Sequence, residues 1–268
     1  MADIVKFEKQ TFSQRLGSML RVDFRRMFTM PKFYIMTGIA FIMPVLILVM
    51  TTSLAGTETT NPETGEVTVM ESFDNTWEII ASESGGASMS MDMTSMCNIN
   101  LLYFMSGVLV CLFVSDDFKS GYCKNLFTVR EKKSDYVVSK TIVCFIASAF
   151  FLIAFLVGTV IGGSVAGLSS DLGTAGVSGL VMCMLAKIFL MSVFVAIFLM
   201  MSVWAKHRTW LSILMALGGG MLLFMMIPML TPLNSGFMNM FMCLAGGVIF
   251  AAGIGAVSNM ILRKTSIL

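Results

Sequence analysis

The chain is divided by long apolar runs, and every lysine and arginine but one falls between those runs. A helix crossing the hydrocarbon core of a bilayer needs about 20 mostly apolar residues. Six stretches meet that requirement: Phe33–Leu54, Asn98–Ser115, Thr141–Gly163, Leu180–Trp204, Trp210–Leu230 and Phe237–Leu262. Only 13% of the 268 residues are charged and mean hydropathy is +0.84. Soluble domains carry about 25% charged residues, so an ordinary cytosolic enzyme and a disordered chain are both excluded. The sequence predicts an all-α membrane protein of six transmembrane helices.

Basic residues set the orientation of such a chain, because cytoplasmic loops retain them. Seven lie before the first run: Lys6, Lys9, Arg15, Arg21, Arg25, Arg26 and Lys32. Six more follow the second: Lys119, Lys124, Arg130, Lys132, Lys133 and Lys140. Lys206 and Arg208 follow the fourth, and Arg263 and Lys264 the sixth. The intervening loops 55–97, 164–179 and 231–236 contain neither residue type. Both termini are therefore expected in the cytoplasm. The organisation expected is a cytoplasmic N-terminus over 1–32, a six-helix transmembrane domain over 33–262, and a cytoplasmic tail over 263–268. Within the domain, 55–97 is an outer loop and 116–140 a cytoplasmic one. No short apolar run with a small-residue cleavage site precedes the first span, so no signal peptide is expected. Trp204 and Trp210 bracket the Lys206–His207–Arg208 turn as interfacial anchors do.

Residues 12–28 place Phe12, Leu16, Met19, Leu20, Phe24 and Met27 on one helical face, with Arg15, Arg21, Arg25 and Arg26 opposite. Asp23 interrupts the apolar side. A basic amphipathic helix just before a span reads as an interfacial helix on the inner leaflet, making membrane lipid a partner. Packing against another subunit is the competing reading, and the two are compatible.

The outer loop carries eight acidic residues: Glu58, Glu63, Glu66, Glu71, Asp74, Glu78, Glu83 and Asp92. Such a surface favours encounter with cationic molecules, although exclusion of basic residues from exported loops explains the same pattern. Met89, Met91, Met93, Met96 and Cys97 are soft ligands suited to copper(I). The 55–97 loop as a whole is no richer in methionine than the rest of the chain, so no metal site is assigned. Neither is a catalytic residue. The sole histidine, His207, lies in a basic turn, and the spans contain no carboxylate. Proton- or sodium-coupled carriers normally keep ionisable groups at membrane depth, which leaves an ATP-independent channel or uncoupled carrier as the alternative to a driven transporter. Lys187, the one charge within a span, either meets an anionic substrate or partner carboxylate, or snorkels outward from the outer half of its helix. Snorkelling is the favoured reading. No G-x-x-x-x-G-K-[ST] phosphate loop occurs, so ATP and Mg2+, if used, belong to another chain. Nothing suggests nucleic-acid binding.

Between the second and third runs lies Asp116-Asp117-Phe-Lys-Ser-Gly121-Tyr122-Cys-Lys124-Asn125-Leu126, followed by Lys133 and Lys140. An acidic residue, a glycine followed by a basic-x-Leu element, and a basic residue seven before the next span's lysine resemble the type 2 ABC transporter permeases. These include bacterial drug, lantibiotic-immunity and bacitracin-resistance exporters. The resemblance extends to the basic first helix, the long first outer loop and the six spans. Tyr122 replaces the usual threonine, and Lys133 the usual arginine. In that family this segment is a coupling helix docked on an ATP-binding subunit. The resemblance therefore implies ATPase-coupling roles for Asp117, Gly121, Lys124, Asn125, Leu126 and Lys133. It also implies an ABC ATP-binding subunit as partner, a second identical or related permease subunit, and a bacterial plasma membrane. The substrate expected is a peptide antibiotic, drug or lipid, with cationic amphipathic peptides first; no residue pattern marks where it binds. Gly247, Ala251 and Gly255 form a small-residue stripe suited to helix packing. Pro44 and the Gly218-Gly219-Gly220 triplet, with Pro228 and Pro232 beyond, are candidate bends.

Overall fold

A computed structural model describes residues 11–60, 67–69, 72–81, 98–129, 133–206, 208–224 and 226–264. The His207 turn residue and the Met89–Cys97 run lie outside these residues. Helices account for nearly all of the architecture: α1 (Phe12–Thr29), α2 (Pro31–Leu54), α3 (Leu101–Lys119), α4 (Tyr122–Val129), α5 (Lys133–Ala166), α6 (Gly176–Ala205), α7 (Thr209–Phe224), α8 (Ile227–Leu230) and α9 (Phe237–Lys264). A small antiparallel hairpin, β1 (Glu58–Thr60) with β2 (Val67–Val69), lies within 55–97.

Local chemistry explains the first boundaries. Thr11 caps α1 with its hydroxyl on the Gln14 N–H, and the Gln14 side chain returns the bond to the Thr11 N–H, satisfying two otherwise orphaned donors. Pro31 forces its predecessor out of helical geometry. Met30 is accordingly extended (φ −79°, ψ 119°), and Pro31 then starts α2. A phenylalanine corner fixes the elbow. Phe28 meets Phe33 edge-on at 5.2 Å, and Phe33 stacks on Phe151 of α5 at 6.0 Å.

Five helices among the described residues are long and apolar enough to span a membrane: α2, α3, α5, α6 and α9. The fifth stretch read from sequence, 210–230, is divided. Its first part, α7, has 16 residues, about 24 Å at 1.5 Å per residue and short of a 30 Å core. The helix passes straight through Gly218–Gly220 and ends at Phe224, and α8 begins at Ile227, beside Pro228. Pro at an early position of α8 is compatible with helix only where no earlier turn needs its N–H. Together α7 and α8 still run the length of the bundle: Gly179, at the start of α6, packs against the Leu233 carbonyl beyond α8.

The tightest seam is one the sequence reading passed over. Gly158 and Gly162, one turn apart on α5, lie directly on α2. A Cβ on Gly158 would overlap the Phe41 carbonyl, and one on Gly162 would lie 2.8 Å from Val45 Cα. Of the stripe on α9, Gly247 makes a similar approach to α6, where a Cβ would come within 2.8 Å of the Phe189 carbonyl. Gly255 has ordinary space, its Cβ position 3.8 Å from Val137 Cγ1. Close approach of backbones is what small residues contribute between membrane helices, where lipid competes equally for apolar side chains.

At the end that carries the 55–97 loop, Trp77 donates from Nε1 to the Ser170 carbonyl at 3.0 Å and Thr76 N–H to the Ser169 carbonyl at 3.0 Å. Phe73, Trp77, Ile79 and Ile80 are buried there, so this part of the loop is a packed cover. Trp204 and Trp210 are exposed on either side of the α6–α7 turn, in keeping with anchoring at an interface.

Replacing Gly158 by alanine should lower stability by about 1–3 kcal/mol through overpacking. Gly38→Ala, where a Cβ meets nothing within 4 Å, should be near neutral; thermal unfolding in detergent compares the two.

Candidate coupling site

The segment expected to be one cytoplasmic connector, 116–140, consists of three parts. The end of α3 carries Asp116 and Asp117, α4 lies across, and the first two turns of α5 carry Lys133 to Lys140. Gly121 joins the first two. Its φ is +74°, and a Cβ there would touch nothing within 4 Å. The glycine is thus required by backbone conformation rather than by space. The turn it makes leads the chain from α3 directly into α4.

Behind α4 lies a buried charge cluster drawn from three helices. Lys140 Nζ sits 2.7 Å from Asp117 Oδ2 and 2.9 Å from Asp23 Oδ1. Arg26 Nη2 reaches Asp117 Oδ1 at 2.6 Å. Tyr136 donates its hydroxyl to Asp117 Oδ2 at 3.0 Å, and Ser139 donates to Asp23 Oδ2 at 2.6 Å. The side chains of Asp23, Asp117 and Lys140 have no exposed surface, whereas Arg26 retains about a third. Two carboxylates face two cations, so the cluster is neutral overall. The aromatic rings complete its shell: Lys140 Nζ lies 3.8 Å from the Phe113 centroid and the Arg26 guanidinium 4.1 Å from that of Tyr122, as cation–π attraction favours. Tyr122, at the position where threonine was expected, thus holds Arg26 from the α4 side. Burial raises the Tyr122 hydroxyl above its ordinary pKa, and burial beside Asp117 pushes the Cys123 thiol up to about 12. Neither ionises near neutral pH. Outside the cluster, Arg15 Nε pairs with Asp135 at 3.0 Å and Lys32 with Asp116 at 2.9 Å.

These contacts revise the reading of α1. Asp23 does not interrupt its apolar face; it is the centre of the buried one, flanked by Met19 and Met27. The helix packs on α5 within the chain itself, while Arg21 and Arg25 are exposed.

The residues assigned coupling roles divide into two groups. Lys124 and Asn125, together with Thr128, form the exposed face of α4. Leu126 is half-buried against the core. Asp117 and Lys140 are wholly internal and present no side-chain surface. Lys133 donates to the Leu262 carbonyl at 2.8 Å and lies 5.6 Å from the Phe127 ring, tying α5 to the end of α9. Asp23, Arg26, Tyr136 and Ser139 were not assigned from sequence. A carboxylate on an apolar helix face was the available signal for the first, since such a group requires a buried partner.

At the other end, Lys187 is 1% exposed and does not snorkel. Its ammonium donates to Thr231 Oγ1 at 2.8 Å and Asn100 Oδ1 at 3.2 Å, and Tyr103 donates to its backbone carbonyl at 2.8 Å. The lysine stem is enclosed because α3, α6 and the α8 end converge around it, leaving no route to the interface. Lys187 therefore holds the end of the broken α7–α8 unit to the beginning of α3.

A family model described as ABC-2 family transporter protein matches residues 31–223, well over half of the chain. This chain belongs to that family. No curated protein and no solved structure matches it. An ABC-2 family protein is a multi-pass membrane permease component of an ABC transporter, a transport subunit that normally works with an ATP-binding subunit. The matched region opens with α2, so α1, which brings Asp23 and Arg26 to the cluster, lies outside it. In an ABC-2 permease the cluster ties an element beyond the matched region to both ends of the 116–140 segment.

Lys140→Met should destabilise the chain by about 3–5 kcal/mol, because Asp23 would be left buried without a cation and Asp117 with Arg26 alone. Adding Asp23→Asn and Asp117→Asn should restore much of that loss. Unfolding in detergent, compared across the single and triple variants, reads the difference.

Proposed function

We propose that this chain is the membrane subunit of an ATP-driven exporter, with α4 as the element through which a separate ATP-binding subunit transmits force. The ATP and Mg2+ belong to that subunit, and two permease subunits, identical or related, form the path in a bacterial plasma membrane. The 116–140 segment and both termini then lie in the cytoplasm, as the distribution of lysine and arginine favours.

The observation that carries this reading is the seating of α4. A short helix transmits a push only if it is fixed to the elements that must move. Here α4 exposes Lys124, Asn125 and Thr128 while its Tyr122 side packs on the charge cluster and its Phe127 lies edge-on to Tyr136 at 5.5 Å. Pressure on the exposed face therefore meets α1, α3 and α5 together. ATP binding would draw the ATP-binding subunits together, displace α4 and move these helices as a group. The acidic residues of the outer loop support a cationic amphipathic peptide as cargo, with hydrophobic drugs and lipids next.

The test is recovery of the tagged chain from its native membrane in mild detergent. A protein bearing a nucleotide-binding motif should be retained at stoichiometric yield. Lys124→Glu with Leu126→Ala should reduce that yield at least tenfold while the permease remains folded. A chain that purifies alone and conducts solute in liposomes without ATP contradicts the proposal.

A further inference from the structure

A groove of about 380 Å³ runs between the first turns of α5 and the last turns of α9. Its α5 wall is Ser134, Val137, Val138 and Thr141, and its α9 wall is small: Ala251, Ala252, Gly255 and Ala256, ending at Asn259. The groove opens sideways, with Val138, Ala252 and Ala256 exposed at its lips, so it faces the space that acyl chains occupy around a membrane helix.

Its basic end is what selects an occupant. Residues four apart on a helix lie on one row. The row Ala251–Gly255–Asn259 continues to Arg263, and the row Ala252–Ala256 continues through Met260 to Lys264. Arg263 and Lys264 are exposed and make no ion pair among the described residues. Lys133, immediately before the groove-lining Ser134, closes the same end through its bond to the Leu262 carbonyl, which uses one of its three donors. Asn259 Oδ1 is buried there and has no hydrogen-bond partner among the described residues, so it can accept from a hydroxyl-bearing ligand. An apolar slot open to the bilayer, ending in three cations and an unpaired acceptor, matches an anionic phospholipid with a hydroxylated headgroup. Basic pockets between membrane helices bind such headgroups.

We propose that the α5–α9 groove is a binding site for one anionic glycerophospholipid. One acyl chain lies along Ala252 and Ala256, the phosphate meets Arg263, Lys264 and Lys133, and the headgroup hydroxyl reaches Asn259. The lipid would span the seam that Lys133 ties, adjoining the α5 turns that carry Asp135 and Lys140. The proposal does not depend on the identity of the transported substrate or on the ATP-binding partner.

Native mass spectrometry of the delipidated chain, titrated with dioleoyl phosphatidylglycerol or dioleoyl phosphatidylcholine, tests it. One phosphatidylglycerol should be retained per chain in preference to phosphatidylcholine. Arg263→Gln with Lys264→Gln should weaken that retention on the order of tenfold. Lys206→Gln with Arg208→Gln, an equal loss of charge elsewhere, should leave it unchanged. Ala252→Phe with Ala256→Phe should abolish retention of both lipids at this site. Because both residues are exposed, the filled variant should remain folded, checked by unfolding temperature. Equal retention of the two lipids by the unaltered chain overturns the proposal. So does selectivity that survives filling of the groove, or a filled variant that changes chain stoichiometry rather than lipid retention, which would make the groove a surface for a second copy.

Discussion

The neutral cluster of Asp23, Asp117, Lys140 and Arg26 is the interaction on which the basic end of this molecule depends. Three of its four side chains have no contact with solvent, and each requires the others, since an unpaired buried charge is far less tolerable than a paired one. Hydrophobic packing alone would let α1 roll or slide over α5, because apolar contact is non-directional. A carboxylate gripped by a lysine and a serine, and a second gripped by a lysine, an arginine and a tyrosine, admits one register.

That fixed register gives the 116–140 segment its mechanical character. Gly121 turns the chain, α4 lies across the turn, and the two charged residues that bound the segment, Asp117 and Lys140, close on each other behind it. The segment is therefore a loop fastened at both ends rather than a solvated connector. At the far end Lys187 plays a different part. It has neutral oxygen partners, from Asn100 and Thr231, and it fastens the far end of the α7–α8 unit. Between these two polar fastenings the seams are made by glycine: Gly158 and Gly162 of α5 against α2, and Gly247 of α9 against α6. An ABC-2 permease has to change the relation between its helices, and a molecule tied at its ends and smooth along its seams is suited to that.

Much of this was legible in the chain. The apolar runs located α2, α3, α5, α6 and α9, because length and hydropathy are set by the bilayer and not by tertiary contacts. Family membership was legible from Asp117, Gly121, Lys124, Leu126, Lys133 and Lys140, although Asp117 and Lys140 turn out to be buried. What escaped was partner choice. Asp23 was visible as an anomaly on an apolar face, but its lysine lies 117 positions away, a separation no local pattern reports. Lys187 was read as snorkelling and is buried instead, since snorkelling depends on whether neighbouring helices leave an exit. The end of α7 at Phe224 was not legible, because 210–230 reads as one apolar run and Gly218–Gly220 lies inside helix.

The central claim is that α1 and α4 move as one body because the charge cluster joins them. Pulsed electron–electron distance measurement between spin labels at Ser13 on α1 and Thr128 on α4, in the membrane-reconstituted transporter with and without trapped ATP, tests that claim most directly. A single distance that stays the same in both states is the predicted result. A distance that shifts or splits when ATP is bound would show that the two helices part, and would contradict the account.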